Sequence, residues 1–220
     1  MNFDGLVTRL QSLFDVGQTR AVDVANERLA EMVTRSTALR SVRSLGSTVA
    51  GQASYTLNEN IVKILQIEVA YTAGTKAYNG VATLEDLWAV ARHEAEVDPD
   101  FDGVVAIEAD SDSTMTTDNF RMYPAPGESG KAITGLVAIR PAAITYGSST
   151  ALPIPVDLHP KLLAGCKAEL FEEEGNPTEA ATNQAEFEQG IRLLEASVNK
   201  RGKGSGGTRL RVSGYDFARG

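Results

Sequence analysis

The chain has a single cysteine, Cys166, and no apolar run that approaches the roughly 18 residues a membrane span needs. One cysteine excludes an internal disulfide, and its place in an apolar stripe predicts a small buried side chain and not a reactive thiol. The N-terminus lacks a basic region followed by an apolar one, so we expect no secretion signal. These absences favour a protein of the cytoplasm, or of a particle assembled there, without membrane contact.

Residues of the kinds that catalyse reactions or bind metals are few and poorly spaced. The two histidines, His93 and His159, do not fall in a zinc-binding spacing. The acidic stretches 98–103 and 110–112 are similar to calcium loops, but neither completes the ligand series with a bidentate glutamate. The glycine-rich stretch 202–208 lacks the pattern of a phosphate-binding loop, and no serine has an evident base. We therefore predict no catalytic residue, no cofactor, no metal and no enzymatic activity.

Charge is unevenly distributed along the chain. The net charge is −8, yet residues 200–220 contain six basic residues and one acidic residue, a net +5. The residues before them therefore carry −13. An acidic body with a basic end indicates that the end has a partner of its own, and the alternative is a solvated end without a partner.

Helical periodicity appears at both ends of the chain. Residues 3–15, and then about 18–40, have apolar side chains three and four positions apart, which is typical of amphipathic helices. The same spacing returns from Asp157, a candidate helix cap, and again from about residue 178 to 200. Because Gly-Asn-Pro at 175–177 interrupts the periodicity, these last two helices are predicted to form a hairpin.

The middle of the chain is rich in β-branched residues and in turn residues. A hairpin turn is predicted at residues 73–76, and Thr83 is placed to cap a short helix. We predict strands over residues 54–57, 61–70, 104–109, 119–123 and 132–140. The predicted fold class is therefore α+β: a helical bundle of N-terminal helices and a C-terminal hairpin, with an inserted small antiparallel β unit and an extended tail. The predicted segments are 1–45 (N-terminal helices), 46–150 (β-rich unit), 151–200 (hairpin) and 201–220 (basic tail).

The tail contains the candidate binding residues. Basic and apolar side chains alternate with the period of a strand, and two aromatic side chains follow. The candidate partner-binding residues are Arg209, Leu210, Arg211, Val212, Tyr215 and Phe217. Such a segment could add to the edge of a sheet or place its aromatic rings in pockets of another subunit. Nucleic-acid binding is the alternative, although the acidic body would repel phosphates.

Five short motifs occur in an order that resembles the head-to-tail adaptor (connector) proteins of tailed bacteriophages. Together they extend over most of the chain. They are VANERLAEMVTRS at 24–36, GQASYTLNENIVKI at 51–64, MYPAP at 122–126, LPIP at 152–155, and the basic, aromatic stretch 209–217. Asn58 departs from the family pattern, because proline is common at that position.

The resemblance implies a structural virion protein that forms a dodecameric ring beneath the portal, in the neck between capsid and tail, after assembly in the host cytoplasm. Such a ring extends the DNA channel, helps to retain the genome and receives the downstream tail or gatekeeper proteins. The implied partners are the portal protein, neighbouring adaptor subunits and genomic DNA that passes without sequence-specific binding. The alternatives are a tail-tube or gatekeeper ring, a nucleic-acid-binding module and a virion-associated cell-wall hydrolase.

Overall fold

A computed structural model describes residues 1–57, 60–97, 103–108 and 119–204. These residues form five α-helices, one short 3-10 helix at Val156–Leu158, and seven strands. The helices are α1 (Phe3–Leu13), α2 (Gln18–Arg35), α3 (Leu84–Val97), α4 (His159–Glu173) and α5 (Pro177–Gly204). The strands are β1 (Arg40–Ser47), β2 (Ser54–Thr56), β3 (Ile61–Tyr71), β4 (Gly74–Gly80), β5 (Val104–Glu108), β6 (Asn119–Tyr123) and β7 (Ala132–Ile139).

Helices α1, α2, α4 and α5 share one hydrophobic core. Helices α1, α2 and α5 contribute residues spaced three and four apart, so that one side of each is buried, whereas α4 is buried at every position from Leu162 to Cys166. At the start of α1, the Asn2 side chain accepts a hydrogen bond from the Gly5 N–H at 2.9 Å, which satisfies an otherwise free donor of the first turn. The fully buried large side chains of this core include Phe3, Leu6, Leu10, Leu29, Met32 and Phe187.

The α4–α5 hairpin is closely packed because glycine faces an aromatic ring. A Cβ atom at Gly165 would lie 2.4 Å from the Phe187 ring, so only glycine permits this approach of α4 to α5. Gly175 has a φ of +74°, the left-handed conformation that commonly ends a helix. Pro177 then begins α5, where its fixed φ suits the first turn.

The seven strands form one sheet in the order β1-β7-β3-β4-β5-β6-β2. Strands β1 and β2 are the two edges, yet only residues 48–53 connect them. Fully extended, this link reaches about 25 Å, whereas the edges of a flat sheet of this width would lie about 29 Å apart. The sheet is therefore curled. Two hydrogen bonds hold the link in place: Thr48 N–H donates to the Lys131 carbonyl and Gly51 N–H to the Pro126 carbonyl, both at 2.8 Å.

The curled sheet encloses a second hydrophobic core. Its buried residues come from six strands and include Ile64, Ile67, Tyr78, Phe120 and Met122. Helix α3 connects β4 to its parallel neighbour β5 and packs Leu87 on Val104 and Ala106. Thr83 caps α3 as predicted, because its hydroxyl accepts from the Asp86 N–H while the Asp86 carboxylate accepts from the Thr83 N–H.

Two sets of hydrogen bonds join the helical layer to the sheet. The Asn26 side chain in α2 donates to the Ile144 carbonyl at 3.0 Å and accepts from the Ile144 N–H at 2.8 Å. On the other side of the junction, the Ile139 N–H donates to the Leu39 carbonyl at 3.0 Å. The segment that leaves the sheet after β7 is therefore bound to α2 through Asn26. The end of β7 is bound to Leu39, in the segment that leads from α2 into the sheet.

The predicted fold class is wrong. The chain has a mixed α/β fold with one curled seven-stranded sheet, and not a helical bundle with a small antiparallel β unit. Strands β1 and β4 escape sequence-based prediction because their serine, arginine, glycine and asparagine residues have low strand propensity. Their pairing with β7, β3 and β5 stabilises them instead. Residues 201–204, the first four of the predicted tail, belong to helix α5, and the rest of the tail lies outside the described part of the chain.

Two helix boundaries also differ from the prediction. Helix α2 ends at Arg35 and not near Arg40, because the Ser36 hydroxyl donates to the Met32 carbonyl and Thr37 takes a φ of +50°. Helix α4 begins at His159, after the 3-10 turn, so Asp157 does not cap it. The strands predicted over 61–70, 104–109 and 132–140 are confirmed to within one residue at each end. The division of the chain into four segments stays a prediction.

Replacing Phe187 with alanine should destabilise the protein by about 3–5 kcal/mol, because the cavity opposite Gly165 has no side chain able to fill it. The free energy of unfolding can be measured by urea titration with circular dichroism. Leu193→Ala on the same helix is the matched control. Because Leu193 is 49% exposed, this substitution should lower the free energy of unfolding much less. Equal losses for both variants would contradict the described core.

Candidate interaction surfaces

The described residues contain no group of three or more histidine, cysteine, aspartate or glutamate side chains that could hold a metal ion. His93 lies on the exposed side of α3, whereas His159 is 5% exposed, with Nε2 3.3 Å from the Ile154 carbonyl oxygen. Most of the two stretches compared with calcium loops, 98–103 and 110–112, lies outside the described residues. The glycine-rich stretch 202–208 extends beyond them as well.

Cys166 is completely buried in the core of the helical layer, as predicted from its stripe. Burial raises the pKa of its thiol to about 12. Because the thiolate is the reactive form, this cysteine is a packing residue.

The predicted partner-binding residues Arg209, Leu210, Arg211, Val212, Tyr215 and Phe217 lie outside the described residues. The last described residue is Gly204, at the end of α5. The assignment of this segment to partner binding stays a prediction. The surfaces described below are ones that the sequence did not reveal.

Strand β1 presents one free edge of the sheet. Since the Leu39 carbonyl accepts from Ile139, alternate residues face β7, and the backbone groups of Arg40, Val42 and Ser44 point away from the sheet. Val42 is 68% exposed. Exposed edge strands are commonly protected by charged side chains, and the arginines of β1 provide this protection.

Four basic side chains surround this edge, and we call them the basic edge: Arg40, Arg43, Lys63 and Arg140. Arg40 and Lys63 are both paired with Ala138, one on each side, so they lie on the same face of the sheet. Arg43 and Arg140 line a cleft of about 320 Å³ whose apolar wall is formed by Leu39, Ile61 and Ile139. None of the four forms an ion pair within the described part of the chain.

A second surface lies where α1 meets the turn of the α4–α5 hairpin. The Phe14 and Phe171 rings pack edge to face, with their centroids 4.9 Å apart, so the residues beside them are neighbours. We call this surface the acidic end: Asp15, Glu172, Glu174 and Glu179, all exposed and without an ion pair to a described residue. Leu13, 50% exposed, lies next to it.

Ion pairs hold α2 to both helices of the hairpin. Arg20 pairs with Glu169 and Glu173 of α4, and Arg28 Nε lies 2.8 Å from Glu169. Arg35 binds Glu188 of α5 through both of its terminal nitrogens, at 2.7 and 2.6 Å. These hydrogen bonds lower the pKa of the Glu188 carboxyl group. The arginines of α2 are therefore used within the subunit, in contrast to those of the basic edge.

The basic edge is invisible to a search for motifs because its residues come from two strands, β1 and β3, and from the segment after β7. Only β1 gives a local signal: Val42 and Leu45 stand among serines and arginines, with Gly46 at a bulge in the pairing with β7. The acidic end has a partial signal, since residues 172–174 are three consecutive glutamates. Their proximity to Asp15 depends on the packing of α1 against α4.

Comparison with known protein families gives one result for the whole chain. A family model described as SU10 adaptor protein matches residues 1–212. A search of the curated proteins found no match. Among the residues that the structure describes, no helix combines the length and the apolar character needed to cross a membrane.

The stability of the protein should decrease as the pH falls from about 7.5 to 5.5, and His159 should be one cause. Burial lowers the pKa of this imidazole below its ordinary value of 6.5. In this range the unfolded chain takes up a proton at His159 that the folded chain does not. The free energy of unfolding therefore falls by at most about 1.4 kcal/mol for each unit that the pH is lowered. Urea titrations at several pH values measure this dependence.

In those titrations His159→Gln should have a smaller dependence on pH than the wild type. His93→Gln is the control, because His93 is the other histidine of the chain and lies on the exposed side of α3. An unchanged pH dependence in His159→Gln would show that another group causes the loss.

Proposed function

The chain belongs to the SU10 adaptor protein family, a family of phage structural adaptors, and on this premise we propose that it forms a ring between the portal and the tail. The match over residues 1–212 carries the proposal, and it confirms the resemblance to head-to-tail adaptors. The family is one of structural adaptors and not of enzymes. It implies contact with phage portal and tail components and a place in the neck of the virion.

In the proposed function, twelve subunits, the number implied by the resemblance, form a ring that extends the DNA channel of the portal. The acidic body suits this role. Residues 1–199 carry a net charge of −13, so the ring would repel phosphate groups and offer DNA few attachment sites. DNA would pass without sequence-specific binding, and the ring would help to retain the packaged genome.

The two cores support a structural role in a different way. The helical layer is held by its core and by ion pairs, and the curled sheet has a core of its own. Among the described residues, both layers are therefore fixed by packing. A ring that withstands the pressure of packaged DNA requires subunits that keep their shape. The helical layer is proposed as the ring body, and the sheet as the part that faces tail components or neighbouring subunits.

The tail is proposed to capture the portal or a neighbouring subunit. Arg209 and Arg211 would provide charge, and Tyr215 and Phe217 would occupy pockets of the partner. Repetition of one weak contact around a ring increases overall retention by orders of magnitude. Assembly would take place in the host cytoplasm, and a gatekeeper or tail-tube position in the same neck is the nearest alternative.

Electron microscopy of the protein mixed with its portal ring tests the proposal. We expect rings stacked coaxially on the portal with the full chain, and no stacking after deletion of residues 209–220, while circular dichroism shows an unchanged fold. A protein that remains monomeric and indifferent to the portal would contradict the adaptor function. A deletion that unfolds the subunit would show that the tail is part of the fold.

Two paired variants separate the contributions of charge and aromatic contact in the tail. Arg209→Ala with Arg211→Ala should weaken portal binding most at low salt, and the difference from the wild type should shrink as salt is raised, because screening removes the attraction that the two arginines provide. Tyr215→Ala with Phe217→Ala should weaken binding by a similar factor at all salt concentrations. Binding unaffected by both pairs would exclude the tail as the portal contact.

A further inference from the structure

We propose that the basic edge of one subunit binds the acidic end of a second copy of this chain, so that subunits associate head to tail. This inference rests on the proposed ring function and assigns the two surfaces that would join neighbours. It is carried by three observations: the charges of the two surfaces, their positions at opposite ends of α2, and the exposed apolar residue beside each of them.

The basic edge is unusual in an acidic protein. The arginines of α2 are paired with glutamates of the hairpin, and Arg121 in β6 is paired with Glu108 in β5. By contrast, Arg40, Arg43, Lys63 and Arg140 form no ion pair with a described residue, and Arg40 donates only to the Thr37 carbonyl and hydroxyl oxygens. Unpaired basic groups on a body of net charge −13 would attract the acidic surface of another copy.

The two surfaces lie far apart on the same subunit. The ion pairs of Arg20 place the start of α2 beside the acidic end. The chain just after α2 lies beside the basic edge, because the Leu39 carbonyl accepts a hydrogen bond from the Ile139 N–H. Helix α2 has 18 residues and therefore spans about 27 Å between them. Each surface would repel a second copy of itself, so a symmetric dimer through either one is disfavoured. Contact between unlike surfaces is heterologous, and a heterologous contact generates rings when the rotation closes.

Both surfaces also contain apolar area that a contact would bury. Val42 is 68% exposed on the same face of the sheet as Arg40, and Leu13 is 50% exposed beside Asp15. On the opposite face, the cleft lined by Arg43 and Arg140 has an apolar wall and a volume of about 320 Å³, enough for a leucine side chain. An apolar centre with charged residues around it is the usual composition of a specific interface.

Charge reversal on each surface tests the proposal. One variant, Arg43→Glu with Arg140→Glu, cancels the net positive charge of the basic edge. The other, Glu172→Lys with Glu174→Lys, cancels the net negative charge of the acidic end. Sedimentation velocity at about 50 mM salt, where surface charges are weakly screened, measures self-association. We expect each variant alone to associate at least about a hundredfold more weakly than the wild type, because one of the two surfaces would then have no net charge to attract the other.

An equimolar mixture of the two variants should associate again. The unchanged acidic end of the first variant then meets the unchanged basic edge of the second, and no other combination of surfaces is attractive, so association should stop at mixed pairs. Chemical crosslinking followed by mass spectrometry would show mixed pairs and no identical pairs. A mixture that stays dissociated while both variants remain folded would overturn the proposal.

Lys76→Glu with Arg92→Glu is the matched control. It changes the net charge by the same amount as the basic-edge variant, on β4 and α3, away from both surfaces, and should associate like the wild type. Charge-reversal variants that associate normally, or a wild type that never self-associates at low salt, would overturn the inference. Stacking of the wild type on the portal is a separate measurement, so either result leaves the adaptor function to be decided by microscopy.

Discussion

Helix α2 packs its apolar side into the core of the helical layer, while its outer arginines pair with Glu169, Glu173 and Glu188 of the α4–α5 hairpin. Its Asn26 also holds the segment that leaves the sheet, through both hydrogen bonds of the Ile144 backbone. The relative positions of the hairpin, the sheet and the N-terminal helix therefore depend on this one helix. Its length also sets the distance between the acidic end and the basic edge, so the geometry of the proposed head-to-tail contact depends on α2 as well.

The sheet is governed by a different constraint, which is the short link between its two edge strands. Residues 48–53 are too few to connect the edges of a flat seven-stranded sheet. The resulting curl encloses a core that is separate from that of the helices. A subunit with two cores, joined by hydrogen bonds next to α2, is suited to an adaptor because the proposed contact between neighbours joins the sheet of one subunit to the helical layer of the next.

Family membership and surface chemistry answer different questions about this protein. The match over residues 1–212 places the chain among phage structural adaptors. It says nothing of which side chains join one subunit to the next. In the sequence, the arginines of α2 cannot be told apart from those of the basic edge. In the structure, an arginine that forms an ion pair with a carboxylate of the same subunit differs from one that remains available to a partner.

Local spacing and residue type were enough to predict the helices, the strands β2, β3, β5, β6 and β7, the break at Gly175 and the burial of Cys166. The order of its short motifs also determined the family. Three features were seen only in the folded protein. Segments β1 and β4 are strands, the sheet is curled around its own core, and residues from β1, β3 and the segment after β7 lie together at one edge. Such features depend on pairing between residues distant in the chain, and the strand propensities of β1 and β4 are too weak to predict that pairing.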